Sequence, residues 1–271
     1  MQIIHLSDTH FGNHHPAFDL QRLKDAMNSL SVLFEKPDTY LVVSGDVTFQ
    51  GNSIGYVQAE NFFKDTWLSN KGERNRFLAC PGNHDICGNS FDSFDSFLYG
   101  IRRNPETDNF SKRPHSLVKF ENIAFLMVNS AHHLDHKYGV INIQPLKKFL
   151  DSEKDYLDGV QQRILIVHHH LIGFQKNDTS TIRNALPFIA LLDEFKFNLV
   201  LHGHQHSQVS LPIGKSKMEI YSARSFNYPS SSLVNGINLF TYNGATWDQE
   251  VFVLSDDNSM INGLSFCKME K

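Results

Sequence analysis

Ile3-Ile4-His5-Leu6-Ser7-Asp8-Thr9-His10 opens the chain with a short apolar run that breaks at once into a carboxylate and an imidazole. The same device recurs along the sequence. Residues 40–43 run into Ser44-Gly45-Asp46, and residues 77–79 into Pro81-Gly82-Asn83-His84-Asp85. Residues 164–167 run into His168-His169-His170, and residues 199–201 into His202-Gly203-His204-Gln205-His206. Apolar runs of this length bounded by turn residues read as buried strands of a largely parallel sheet. Ligands of open α/β sheets sit beyond the carboxyl ends of the strands. The expectation is therefore that all five clusters meet on one edge of one sheet, and a metal site is the simplest reason to gather that chemistry.

Between these strands the spacing turns helical. Leu20, Leu23, Met27, Leu30, Leu33 and Phe34 separate the first two strands, and Tyr56, Ala59, Phe62, Phe63 and Trp67 separate the next two. This is a β-α-β-α-β series with right-handed crossovers expected. Phe91, Phe94, Phe97, Leu98 and Ile101 predict a short helix, followed by an exposed loop over 102–114. Residues 116–120 and 123–128 read as a hairpin across Glu121-Asn122. Helices are predicted over 144–157 and 184–195, and strands over 208–211, 218–222, 236–242 and 251–254. No linker-like stretch divides the halves and no repeat is present. Because ligand clusters fall in both halves, residues 1–271 are expected to form one α/β domain. It would be a two-sheet β-sandwich flanked by helices, with a motif core over 1–206, further strands over 207–254 and the active site at the strand ends.

Composition narrows the function. With 41% hydrophobic and 20% charged residues, disorder is not indicated. The net charge of −4 and the lack of a long basic block argue against long nucleic acid as a partner. Cys80, Cys87 and Cys267 are too scattered for a disulfide framework and read as bystander thiols. No apolar run reaches the ~20 residues of a membrane span, and the opening residues lack a secretory pattern, so a cytoplasmic enzyme with no membrane partner is expected.

The clusters carry a mixed nitrogen and oxygen donor set. Asp8-x-His10 and His204-x-His206 each place two side chains on one face if the backbone is extended. Asp46 adds a carboxylate, Asn83 an amide oxygen and His168 an imidazole. That is more than one ion needs, and a carboxylate shared between two ions about 3.5–4 Å apart would use them all. The set, with no thiolate, suits Mn, Fe, Zn or Co better than Mg or Ca. His5 and His202 read as core or supporting histidines. His14, His15, His132, His133 and His136 read as solvated loop residues. Arg224 is a weaker candidate for a phosphate or base contact, and the 22 phenylalanines read as core rather than as a stacking platform.

The order Asp-x-His, Gly-Asp, Gly-Asn-His-Asp, His, Gly-His-x-His closely resembles the calcineurin-like metallophosphoesterases over residues 5–206. Gly45-Asp46-Val47-Thr48 with Gly51 and Tyr56 is similar to the class III cyclic nucleotide phosphodiesterases and glycerophosphodiesterases, which also carry a His-His strand end. Here the usual following proline is His170, and His168 is preferred over His169 as the ligand because it directly ends the strand. The resemblance implies one metal on Asp8, His10, Asp46 and His206, and a second on Asp46, Asn83, His168 and His204. It implies hydrolysis of a small phosphodiester, a cyclic nucleotide or glycerophosphodiester, by a hydroxide bridging the two ions. It also implies that His84 contacts the phosphoryl group or protonates the leaving oxygen. Asp85 either orients His84 or caps the following helix. Phosphoprotein phosphatases of this superfamily carry an Arg shortly after Gly-Asp, where this chain has Val47-Thr48-Phe49-Gln50-Gly51. A nuclease of the same superfamily and a metal-bearing scaffold without turnover are the alternatives. Substrate specificity is assigned to loops 86–115, 129–143 and 171–183, and the sequence names neither the substrate nor the oligomeric state.

Overall fold

The structure is a computed structural model that describes residues 1–173, 178–215, 217–256 and 263–269. The first half runs β1 (Gln2–Leu6), α1 (Leu20–Ser29), α2 (Ser31–Phe34), β2 (Thr39–Ser44), α3 (Ser53–Phe63), β3 (Phe77–Cys80) and α4 (Asp92–Arg102). The chain continues through β4 (His115–Lys119), β5 (Ile123–Val128), α5 (Ile143–Ser152), α6 (Lys154–Gly159), β6 (Gln162–Val167), α7 (Ala185–Glu194) and β7 (Leu199–His202). Five strands follow: β8 (Ser210–Ile213), β9 (Met218–Ser222), β10 (Gly236–Tyr242), β11 (Trp247–Asp256) and β12 (Leu264–Lys268).

These strands form two six-stranded sheets, ordered β12-β11-β10-β1-β2-β3 and β4-β5-β6-β7-β9-β8. The expected two-sheet sandwich flanked by helices is present. The expectation that the clusters share one edge of one sheet is not met. Three come from β1, β2 and β3 of the first sheet, and two come from β6 and β7 of the second. Only part of each sheet is parallel, since β10 to β12 add antiparallel to one and β4 and β8 to the other.

Strand alternation assigns each side chain to a layer. Ile164 and Ile166 of β6, Phe125 and Met127 of β5, and Leu199 and Leu201 of β7 join the first sheet in one core. Their neighbours Leu165, Val167, Leu126 and Val200 turn the other way, onto Leu146 and Leu150 of α5 and Phe188 and Leu192 of α7. On the opposite side α1 begins where Asp19 accepts from the Arg22 amide, and it buries Leu23, Ala26 and Met27. Asn52 caps α3 in the same manner and sends Tyr56, Ala59, Phe62 and Phe63 inward. The helix predicted over 144–157 is interrupted at Glu153, and the strand β12 has no counterpart in the sequence reading. Among the described residues no helix is long and apolar enough to cross a membrane.

Candidate metal centre

The loops that leave the strands keep pairing after the strands end. Asp8 and His10 donate their amides to the carbonyls of Gly45 and Asp46, and Phe11 donates to that of Val47. Gly203 donates to the carbonyl of His168, which joins the loops after β6 and β7. The segment after β9 closes over the first loop, where the Ser225 hydroxyl donates to the Asp8 carbonyl at 2.8 Å. These bonds draw Asp8, His10, Asp46, Asn83, His168, His204 and His206 together across the seam between the sheets.

The backbone achieves this differently from the extended geometry expected of Asp-x-His and His-x-His. Asp8, His10, Asp46, His204 and His206 all have positive φ, between 47° and 71°. This left-handed region is uncommon outside glycine, although Asp and His visit it more than most residues. Each such residue costs on the order of 1 kcal/mol, a strain that concentrates at functional sites. Gly45, at φ 89°, makes the tight turn before Asp46, and a Cβ there would lie 2.5 Å from His168 Nδ1.

Two trios result, each with ligand atoms within 4.8 Å of one another: Asp8, His10 and His206, and Asp46, His168 and His204. His168 Nε2 lies 3.2 Å from Asp46 Oδ2, 3.1 Å from Asn83 Oδ1 and 3.2 Å from His204 Nδ1. His206 Nε2 lies 3.2 Å from Asp8 Oδ1 and 3.5 Å from His10 Nε2. The orientations suit a cation. Asn83 donates its amide to the His136 carbonyl at 2.9 Å, which turns its oxygen inward. Asp8 Oδ1 is buried with no hydrogen-bond donor, an orphan acceptor facing two imidazoles.

Charge follows the same geometry. Burial alone would lower the His168 imidazole, but Asp46 and then Asp8 raise it to about 9. Burial would raise Asp46, but the imidazoles of His168 and His84 hold it well below the ordinary carboxylate range, with His10 adding to the effect. Asp46 thus feels residues of both trios. Burial drives His10 down to about 4 and His204 to about 3, so both present neutral nitrogen. Without metal, the proton on His168 balances the carboxylates, and a bound cation would take its place.

His84 is half-buried beside His10, with ring centroids 5.2 Å apart. The Gln50 amide donates to His84 Nδ1 at 3.3 Å, so the neutral ring carries its hydrogen on Nε2. Neither role expected for Asp85 matches its bonds. Its carboxylate accepts from the amides of Val47, Thr48 and Gly82 and from the Tyr56 hydroxyl, at 2.9–3.2 Å. It braces the backbone just after Asp46 and just before Asn83 rather than the His84 ring or α4. Burial and the Asp46 charge push it up to about 6, against the backbone donors.

The other histidines separate clearly. His169 is buried beside His204 with its Nδ1 on the Ser130 hydroxyl, and His170 pairs with Asp178 at 2.7 Å. His5 is buried with Nε2 on the Ser44 hydroxyl, and His202 is buried nearby. His14 and His15 are exposed, and His136 reaches the site through its carbonyl. Arg224 contacts the Val234 carbonyl. Of loop 171–183, residues 174–177 lie outside the described residues. Two site residues escaped the sequence reading. Phe49 stacks on His84 at 5.7 Å and 26°, and Tyr228 lies 4.5 Å from His206 and 5.3 Å from His10. The 820 Å³ groove lined by Gln208, Asp248 and Lys268 includes none of these residues.

The calcineurin-like phosphoesterase family profile matches residues 1–208, and the chain belongs to that family. A dimetal phosphatase from Danio rerio shares the fold with a TM-score of 0.64 at 10% identity, covering 93% of this chain and 95% of its own. GAP50, the anchor in the inner membrane complex of Plasmodium, aligns with a TM-score of 0.52 at 14% identity, covering 100% of this chain and 89% of its own. No curated protein shows a significant sequence match.

Proposed function

We propose that this chain hydrolyses a small phosphodiester at two transition-metal ions, one held by Asp8, His10, Asp46 and His206 and the other by Asp46, Asn83, His168 and His204. The observation that carries this reading is the pair of neighbouring trios, each drawing side chains from the strand ends of both sheets, with Asp46 under the electrostatic influence of His168 in one and His10 in the other. Family membership supports phosphoester chemistry, and the Gly45-Asp46-Val47-Thr48 segment with His168-His169 supports the cyclic nucleotide and glycerophosphodiester subgroup.

Bound there, Mn, Fe, Zn or Co would acidify a water and neutralise phosphoryl oxygens as charge develops. The chain supplies the rest. His84 keeps Nε2–H as its free donor, which would serve a phosphoryl oxygen or the departing alkoxide. The Gln50 amide on Nδ1 fixes that tautomer, and Phe49 stacked on the ring fixes its plane. Asp85 is a positioning residue that holds the turns carrying Asp46 and Asn83. We further read residues 1–271 as one catalytic unit.

The test is turnover of bis(p-nitrophenyl) phosphate by metal-stripped protein resupplied with manganese. Metal-dependent turnover that disappears in Asp46→Asn supports the reading. Two bound metals with no turnover under Mn, Zn, Fe or Co would turn the assignment to a binding scaffold, and digestion of oligonucleotides in preference to small diesters would turn it to a nuclease.

A further inference from the structure

The mouth of the metal centre has two aromatic walls that no ligand role requires. Phe49 stands on one side, with its centroid 6.0 Å from that of His10, and it lies nearly parallel to His84. Tyr228 stands against His10 and His206, tilted 57° and 51° to their rings. Both side chains are half-buried, so part of each ring remains accessible.

Neither wall is loosely held. Phe49 donates its amide to the Phe11 carbonyl at 2.9 Å, and its neighbours Gln50 and Gly51 both bond His84. The Tyr228 amide donates to the Ser225 hydroxyl at 2.9 Å, and that hydroxyl donates to the Asp8 carbonyl. The Asn227 side chain accepts from the Phe18 amide at 2.9 Å, which ties the same segment to the first loop. Tyr228 is thus fixed to the backbone of a ligand residue although it lies outside residues 1–208, where the family profile matches.

Rigid rings at a polar site bind flat groups at little entropic cost, because few rotatable bonds need freezing. A ring stacked on such a wall gains roughly a factor of ten in affinity. We infer that Phe49 and Tyr228 are specificity-determining residues that select a phosphoester whose organic group carries a flat aromatic or heteroaromatic ring over one with an aliphatic group. This rests on the phosphoesterase reading for the phosphate end and adds the choice of organic group.

The test is calorimetric binding of phenyl phosphate and methyl phosphate to the manganese-loaded protein, since the two share a phosphate and differ in the ring. The expected result is phenyl phosphate bound about ten-fold or more tighter, a ratio that falls to about two-fold or less in Tyr228→Leu and in Phe49→Leu. Tyr228→Phe keeps the ring and should keep the ratio. The inference is overturned by equal affinities in the parent protein, by a ratio unchanged in both leucine variants, or by binding of neither ester. It is also overturned if Tyr228→Phe loses the ratio as Tyr228→Leu does, because the hydroxyl and not the ring would then be responsible. Turnover of bis(p-nitrophenyl) phosphate on the same preparation reports separately on the phosphoesterase reading. A preserved ring preference without turnover would overturn that reading alone.

Discussion

His168 Nδ1 lies 2.8 Å from the backbone carbonyl of Ser44. A carbonyl only accepts, so Nδ1 carries the hydrogen and Nε2 is the atom offered to the centre. Ser44 also holds the His5 ring through its hydroxyl and accepts the Ser7 hydroxyl through the same carbonyl. The last residue of β2 therefore orients a donor from the opposite sheet, as supporting groups around metal sites do.

Asp46→Asn keeps the shape and removes the charge that couples the two trios. Metal content after dialysis should fall, and turnover should drop by roughly 100-fold or more. Elemental analysis of the dialysed variant beside its steady-state kinetics checks both.

His84→Ala removes a donor that belongs to neither trio. The expected outcome is full metal content with kcat lower by about 10²–10⁴-fold, the range for a lost general acid or phosphoryl donor. Loss of metal instead would show that His84 acts as a ligand.

Gly203 has no room for a side chain. A Cβ would sit 1.7 Å from Ser7 Oγ and 2.6 Å from Asp8 Oδ2. Gly203→Ala should cost roughly 1–3 kcal/mol of stability through overpacking and also weaken metal retention. Thermal melting and metal content, measured together, give the two readouts.

His5 makes the metal-free protein sensitive to acid. Burial, reinforced by His202 and opposed by Asp8, lowers its imidazole from 6.5 to about 3. Between those values the unfolded chain takes up a proton that the folded chain refuses. Stability is therefore full above pH 6.5 and declines as pH falls toward 3, by about 1.4 kcal/mol per pH unit from this group. His5→Gln should flatten the decline by about that slope in chemical denaturation of the metal-stripped protein at pH 7, 6 and 5. An unchanged slope would assign the acid sensitivity to other histidines.

Sequence carried the strand ends well because each combines two local signals, an apolar run and the polar residues that stop it. Asp8, Asp46, Asn83 and His168 were legible for that reason. What sequence lacks is the partner of each turn. The left-handed backbone at His10 and His204 goes with bonds between loops, to the Asp46 carbonyl and the Asp8 carboxylate, so spacing alone suggested an extended face instead. Asp85 bonds Val47 and Thr48, far from it in sequence, and those partners have no local signature for the same reason. Tyr228 reaches the site because Ser225 bridges to Ser7, a pairing across most of the chain with no local signature. Phe49 was hidden by composition, one aromatic among many that pack the core.

The placement of the proposed ligands on both sheets bears on how the molecule comes apart. Asp8, Asp46 and Asn83 follow strands of one sheet, while His168, His204 and His206 follow strands of the other. Ions held between them would act as rivets through the sandwich, a cross-link in a chain whose three cysteines are free. A ligand at 100 times its dissociation constant stabilises the native state by about 2.7 kcal/mol. Each rivet would add to the force needed to part the sheets, so a chelator should loosen the hydrophobic seam far beyond the few residues it strips.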